Sequence, residues 1–213
     1  AGRGRGRQIA SAAVFGLACV SKPTAWFFAP FYLAWILRDN VLQDEVLRDE
    51  VRQDARGSFV GWLKAGWRLG WPALVVALLI AGPYFVWNPG AMFDDVWKWS
   101  AGTSATAYQI WGWGASNLVL ALGWVKSRFD VWPFWLPELL VAVPLMAALL
   151  VRQWRANTLA RALWSYALFL LAFFFVSRFL NENYLGYVAA FLALGALVSD
   201  ASRPEARQPA GQN

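Results

Sequence analysis

Leu159-Ala160-Arg161-Ala162-Leu163-Trp164-Ser165-Tyr166-Ala167-Leu168-Phe169-Leu170-Leu171-Ala172-Phe173-Phe174-Phe175-Val176 is an apolar run with one charge near its start. A helix crossing a bilayer needs about 20 predominantly apolar residues, with a working range of roughly 17–25. Comparable runs flank this one at about Trp132–Val151 and Tyr184–Val198, and another lies earlier at about Trp71–Trp87. The whole chain is of the same material: of 213 residues, 59% are apolar, 15% charged and 17% aromatic. Soluble domains carry roughly 25% charge and about 45–50% apolar residues even with glycine counted. Fifteen tryptophans and fifteen phenylalanines cannot all be hidden in a core of this size. The composition excludes a soluble globular domain, a disordered chain and a disulfide-stapled module.

Other classes fall on single counts. The chain has no histidine, which removes imidazole base chemistry, a Ser-His-Asp triad and His-ligated zinc. No metal-ligand spacing appears. Cys19 is alone and lies in an apolar run, so it reads as a small packing residue. A net charge of +6 fits basic loops facing the cytoplasm better than a nucleic-acid partner. The opening Ala1-Gly2-Arg3-Gly4-Arg5-Gly6-Arg7 lacks a Met and is followed by no signal cleavage site, which suggests the C-terminal piece of a longer protein.

Ile9 to Leu37 is apolar except for Ser11, Ser21, Lys22 and Thr24. Lysine at mid-bilayer is costly, and proline disfavours helix at the residue before it. Two short helices, about 9–21 and 24–37, hinged at Lys22-Pro23 at the far surface meet both constraints; a single kinked span is the alternative. Residues 38–56 repeat Val-Leu/Arg-x-Asp-like units with pairs such as Asp44–Arg48, which reads as a solvated cytoplasmic helical loop. Phe59, Leu63, Trp67 and Trp71 recur every four residues beside Lys64 and Arg68, the pattern of an interfacial amphipathic helix. Asn88-Pro89-Gly90 marks a turn, and residues 91–114 are too polar for lipid yet too aromatic for a free linker. The expected architecture is all-α, a multi-pass transmembrane helical bundle of about six or seven apolar helices, one short or re-entrant. The membrane region covers residues 1–198, with a disordered tail over 199–213.

If Ala115–Val125 does not cross the membrane, Lys and Arg divide fourteen against five between the two sides; if it crosses, twelve against seven. The positive-inside rule prefers the first arrangement. It places Lys22, residues 88–130 and residues 178–184 together on the extracytoplasmic side of the plasma membrane.

Three polar clusters then meet on that face. Lys22 is a cation suited to a lipid phosphate, or a snorkelling lysine at a helix end. Asp94-Asp95, with Lys98 and Gly102-Thr103-Ser104, offers paired carboxylates for a base, a hydroxyl contact or a helix cap. Arg178-Phe179-Leu180-Asn181-Glu182-Asn183-Tyr184 sets five hydrogen-bonding side chains in a tight turn between apolar helices. Arginine suits phosphate there, and Asn and Glu suit hydroxyls. Gly112-Trp113-Gly114 has no strand–turn–helix context and is no phosphate loop.

Taken in order, Gly16-Leu17-Ala18 before Lys22-Pro23-Thr24-Ala25, Trp87-Asn88-Pro89 with Phe93-Asp94-Asp95-Val96, Tyr108-Gln109-Ile110-Trp111-Gly112-Trp113-Gly114 and Ser177 to Leu185 resemble a known pattern. It is that of the C-terminal half of GT-C class multi-pass glycosyltransferases, which use polyprenyl-phosphate sugars. The resemblance implies a membrane enzyme that moves a sugar from a lipid-phosphate donor to a glycan or lipid acceptor, with no cofactor or metal. It implies donor and acceptor contacts at Lys22, Asp94, Asp95, Tyr108, Arg178, Asn181, Glu182 and Tyr184. Asn183 lies in the same cluster as a substrate-binding candidate, and Asp94, Asp95 and Glu182 are the candidate acids or bases. The catalytic acid of such enzymes belongs to a first outer loop that no position here matches, so the missing N-terminal half is an implied partner. A transporter or flippase, or a non-catalytic membrane subunit, is the rival reading; few polar side chains lie inside the spans, which counts against a conduction path.

Overall fold

The computed structural model describes residues 2–38 and 59–201, together with Asp49 and Gln53. The helical loop expected over 38–56 and the tail expected over 199–213 lie for the most part outside these residues, although residues 199–201 are helix. In chain order the helices are α1 (Gly2–Ser21), α2 (Ala29–Arg38), α3 (Phe59–Trp87), α4 (Pro89–Phe93), α5 (Trp99–Ala101), α6 (Ser116–Ala121), α7 (Trp135–Arg155), α8 (Leu159–Val176) and α9 (Glu182–Ala201). A 3-10 stretch, Pro23–Phe28, precedes α2, and a π turn, Asp94–Lys98, precedes α5. Two short strands, β1 (Trp111–Gly112) and β2 (Phe179–Leu180), form a parallel pair that an all-α expectation omits.

Among the described residues four helices are long and apolar enough to cross a membrane: Leu63–Trp87, Trp135–Arg155, Leu159–Val176 and Glu182–Ser199. The expected six or seven is too many. The interfacial helix and the span at 71–87 are one continuous helix, since Pro72 and Pro83 are accommodated inside α3. Residues 115–125 contribute only α6, whose six residues rise about 9 Å, too short to cross. Val119 of α6 is buried with Ile110 before it and Val125 and Phe134 after it, so both flanks stay at one end.

The α8 helix is the centre of the bundle: 44% of its span is buried, against 6–11% for the other three. It packs between α7 and α9 and also touches α2, while α1 lies along α3. Thr158 starts α8 by accepting the Arg161 N–H at 3.1 Å, an N-cap that satisfies one of the free amides of the first turn. Around it Phe31, Tyr166, Phe169, Leu170 and Phe174 are fully or almost fully buried. The outer faces are apolar too: Val86 is 82% exposed and Leu140 74%. Continuous apolar surface of this kind on helices of spanning length fits a hydrocarbon surrounding.

The Lys22-Pro23 hinge produces a hairpin and not a single kinked span. Ser11 and Tyr32 hydroxyls meet at 2.8 Å, and the Phe15 and Phe28 rings lie 6.3 Å apart, so α1 and α2 run antiparallel. Lys22 is extended (φ −148°, ψ 113°) ahead of Pro23, and the chain continues as 3-10 turns before α2. Asn157, at the α7–α8 turn, donates to the Ala34 and Trp35 carbonyls at 3.2 and 2.9 Å. From there to the hinge is roughly 20 Å along α2 and the 3-10 stretch, whereas α8 is roughly 26 Å long. The hinge therefore stops beside the first turns of α9, short of the far surface expected for it. Helices in lipid associate through close packing of small residues; at Gly16 a Cβ would collide with the Ala73 backbone of α3.

The described helices carry different charges at the two ends of the bundle. Ile36 of α2 is buried with Ala65 and Leu69 of α3, so the end of α2, the start of α3 and the α7–α8 turn share one end. That end carries Lys64, Arg68, Arg152, Arg155 and Arg161. The strand pair and the loops around it form the other.

Candidate functional site

The second end is organised by Arg178. The α8 helix stops at Val176 because Ser177 is extended (φ −75°, ψ 170°), its hydroxyl turned back to donate to the Phe173 carbonyl at 2.7 Å. Arg178 then enters the protein and is 1% exposed. Its guanidinium donates to three backbone carbonyls: Nε to Tyr108 at 2.6 Å, Nη1 to Asp130 at 3.0 Å and Nη2 to Arg128 at 3.2 Å. Burial pulls its pKa down from the ordinary arginine value, and the nearby Asp130 opposes the shift; the group stays charged. Gly102 (φ +78°) lies against the same guanidinium, where a Cβ would overlap it.

Two loop segments, at Tyr108 and at Arg128–Asp130, are thus fastened to one side chain, and the strand pair adds a second fastening. Trp111 pairs with Phe179 and Gly112 with Leu180; the Trp113 N–H donates to the Leu180 carbonyl at 2.9 Å. Gly112 has φ +100°, and a Cβ there would run into the Leu180 carbonyl, while at Gly114 it would lie 2.6 Å from the Phe175 carbonyl. These glycines serve backbone approach. Asp130 closes its own turn by accepting the Lys126 and Ser127 N–H groups at 2.8 and 2.9 Å, and Arg128 donates to the Ile110 carbonyl at 3.2 Å.

On this frame Tyr108, Phe179 and Tyr184 form a continuous aromatic wall, with ring separations of 4.9 and 5.9 Å. Asn181 donates to the Tyr108 hydroxyl at 3.1 Å, and its own Oδ1 is buried without a partner among the described residues. Lys22 meets the wall from the hinge: its ammonium lies 4.9 Å from the Tyr184 ring and 4.6 Å from the Tyr187 ring. No carboxylate pairs with it among the described residues. Below it the Tyr166 hydroxyl donates to the Thr24 carbonyl at 3.1 Å, and Thr24 Oγ1 is a second buried oxygen without a partner.

The acidic candidates occupy a different part of the same end. Asp94 accepts from the Ser104 hydroxyl at 2.7 Å and pairs with Lys98 at 3.1 Å. The Ser104 bond first, and then Lys98, holds its carboxyl below the usual range. Asp95 is exposed. Glu182 is also exposed and accepts from the Trp113 indole at 3.1 Å. Asn183 is exposed beside it.

Of the residues singled out in the sequence, Lys22, Tyr108, Asn181 and Tyr184 are therefore brought together. Arg178 stands behind them, with no surface open to a substrate, so its place is to position the loops. Asp94 reaches them through the Ser104–Gly102 segment, while Asp95, Glu182 and Asn183 lie at the rim. Tyr187 and Thr24 were missed; the Tyr184-x-x-Tyr187 spacing, which stacks both rings on one helix face, was the available signal for the first. Among the described residues no group of three or more Cys, Asp or Glu side chains gathers as a metal site.

Fold and surface define a largely helical membrane protein with four helices long and apolar enough to span. No protein-family model matches the chain, and neither a curated protein nor a solved structure matches it significantly.

Proposed function

We propose that this chain is the donor-binding half of a plasma-membrane glycosyltransferase of the GT-C class, which transfers a sugar from a polyprenyl-phosphate carrier on the extracytoplasmic side. The observation that carries the reading is Lys22: a cation at a hairpin apex, faced by the Tyr184 and Tyr187 rings, with no carboxylate partner among the described residues. A donor that cannot leave the bilayer must present its phosphate at the membrane boundary, and a lysine there neutralises it.

In the reaction the acceptor hydroxyl oxygen forms a bond to the anomeric carbon as the bond from that carbon to the phosphate oxygen breaks. The electron pair leaves with the polyprenyl phosphate, where a fixed cation stabilises the growing charge. The acceptor proton passes to a carboxylate. Asp94 is engaged by Ser104 and Lys98, which suits orientation of a sugar hydroxyl; the exposed Asp95 beside it, at the rim, is the candidate acceptor of the proton. Asn181 and Tyr108 supply hydrogen-bonding groups for the sugar.

The test is a transfer assay on the intact gene product in liposomes with a polyprenyl-phosphate sugar panel. Lys22→Gln is expected to lower kcat/KM by about 10²-fold, as for loss of one charge-stabilising donor, with unchanged helical content. Unaltered turnover in that variant removes Lys22 from the site, and absence of transfer from every donor by the wild type overturns the assignment.

A further inference from the structure

The parallel strand pair sorts the side chains of the outer end into two faces, because successive side chains of a strand point to opposite sides. Ile110 and Leu180 point inward and are buried. Trp111 and Trp113 point outward and are exposed. Arg128 covers the Trp111 ring, its guanidinium carbon 4.8 Å from the ring centre. Among the described residues no ring or cation covers Trp113, which is 67% exposed. Trp113 is nonetheless fixed. Its backbone N–H donates to the Leu180 carbonyl at 2.9 Å, its indole N–H donates to the Glu182 carboxylate at 3.1 Å, and Asn117 donates to the Gly112 carbonyl beside it.

A tryptophan that anchors a helix at the interface keeps its polar N–H for the wet side; here Glu182 has taken that donor. What Trp113 still offers is a ring face, electron-rich at its centre, edged by an exposed carboxylate that keeps lone pairs for hydroxyl donors. A pyranose sugar presents the matching surface, a flat patch of C–H groups rimmed by hydroxyls. An anionic headgroup would meet Glu182 with like charge. A quaternary ammonium is held by a cage of rings, whereas here one ring is open and the Arg128 cation lies on the same strand face. We infer that Trp113 and Glu182 form a saccharide-binding platform, the ring stacking on a neutral pyranoside while the carboxylate accepts one of its hydroxyls. The platform adjoins the aromatic wall: the next position in the strand register sets Trp113 beside Asn181, whose amide donates to the Tyr108 hydroxyl. As the acceptor subsite it rests on the glycosyltransferase reading and makes the acceptor a saccharide; binding itself is measured without transfer.

The experiment is saturation-transfer NMR on the full chain in nanodiscs of phosphatidylethanolamine and phosphatidylglycerol. The probes are methyl β-galactopyranoside, methyl β-glucopyranoside and methyl α-mannopyranoside; sorbitol, with hydroxyls but no ring face, and choline are the controls. At least one pyranoside is expected to take up saturation, strongest on its ring C–H protons, and sorbitol none. Trp113→Ala is expected to weaken binding about tenfold, for loss of a stacked ring, and Glu182→Gln about threefold, with the amide protection of Ile110 and Trp111 kept. If Trp113→Ala loses that protection, Glu182→Gln decides alone. Trp97→Ala, at a 65% exposed tryptophan of the same end, is expected to leave binding in place. The platform is overturned by a wild type that saturates no pyranoside or saturates sorbitol equally, by unchanged binding in the deciding variants, by an equal loss in Trp97→Ala, or by choline saturation that Trp113→Ala abolishes. A wild type that binds a pyranoside but transfers no sugar in liposomes loses the glycosyltransferase reading and keeps the platform; one that transfers sugar without binding any pyranoside does the reverse.

Discussion

Replacing Arg178 by alanine opens the loops while leaving the membrane helices standing. The side chain is 1% exposed and donates to the carbonyls of Tyr108, Arg128 and Asp130 at 2.6–3.2 Å. A hydrogen bond from a charged donor contributes roughly 1.5–3 kcal/mol, and an acceptor left buried without a donor costs about 1–3 kcal/mol. Relief of the cost of burying the guanidinium offsets part of this, so the net loss is about 3–5 kcal/mol, the range found when one partner of a buried charged contact is removed. The helices are held by α8 packing that Arg178 does not touch, which confines the effect to residues 102–134. Hydrogen exchange reads it directly, because the Ile110, Trp111 and Trp113 N–H groups donate to Arg128, Arg178 and Leu180 within the clasped region. Their protection is expected to fall roughly 10²–10³-fold, at about 1.4 kcal/mol per decade, while amides in the middle of α8 keep theirs. Arg178→Lys keeps the charge, but one ammonium cannot match a planar fork aimed at three carbonyls, so an intermediate loss is expected. The buried guanidinium stays protonated despite its lowered pKa, so the wild-type protection, corrected for intrinsic rate, stays constant between pH 5 and 9. Protection within threefold of wild type in Arg178→Ala refutes the clasp.

Three further outcomes follow from the same contacts. The Asp94 carboxyl lies below its ordinary value through Ser104 and Lys98, so the unfolded turn takes up a proton more readily than the folded one. Protection of the Thr103 and Ser104 amides, both donating to the Lys98 carbonyl, is therefore complete above the ordinary Asp range of about 4 and is lost as pH falls below it. Asp94→Asn removes this transition, and an unchanged acid profile in that variant counts against it. Gly112→Ala adds a strain of roughly 1–2 kcal/mol for positive φ to a collision with Leu180, whereas Gly123→Ala, with φ +69° and open space around it, carries the strain alone; thermal unfolding in detergent is expected to rank them in that order. Gly16→Val forces α1 from the Ala73 backbone and is expected to cost about 1–3 kcal/mol, as overpacking does, read as a lower unfolding midpoint with helical content retained.

The spans were legible in the sequence because hydrocarbon selects on local composition: apart from Arg161 and Ser165 near its start Leu159–Val176 is almost wholly apolar, and the helix has those bounds. The hinge was legible because Lys22-Pro23 is a local conflict in an apolar run. Depth was not, since it depends on how many 3-10 turns follow Pro23 and on where α9 begins. The strand pair and the Arg178 clasp left no trace. Their partners lie 48–70 residues away and are backbone carbonyls, which every residue type presents alike. Gly112-Trp113-Gly114 carried a signal of the opposite sort: a visible motif whose meaning, close approach of two backbones, exists only once β1 meets β2.

Arg178 and Lys22 illustrate why two cations at one end of a bundle take different parts. A guanidinium offers five donors in a plane, so it can be buried whole when carbonyls converge on it, and its rigidity then fixes the loops that supply them. An ammonium is a compact charge on a flexible stem, and two tyrosine faces stabilise it without saturating its three N–H donors. Lys22 accordingly keeps capacity for an anion that Arg178 has given to Tyr108, Arg128 and Asp130. The two are linked through Tyr108, whose carbonyl binds Arg178 and whose hydroxyl binds Asn181 beside the Tyr184 wall. Loosening the clasp should therefore disturb the surroundings of Lys22 without any direct contact between the two side chains. Arg178→Lys is expected to slow donor transfer in the liposome assay and to shift the Tyr184 environment, whereas Lys22→Gln leaves the amide protection of Ile110 and Trp111 as it is. Coupling in the reverse direction, with Lys22→Gln opening the loops, contradicts this order of support.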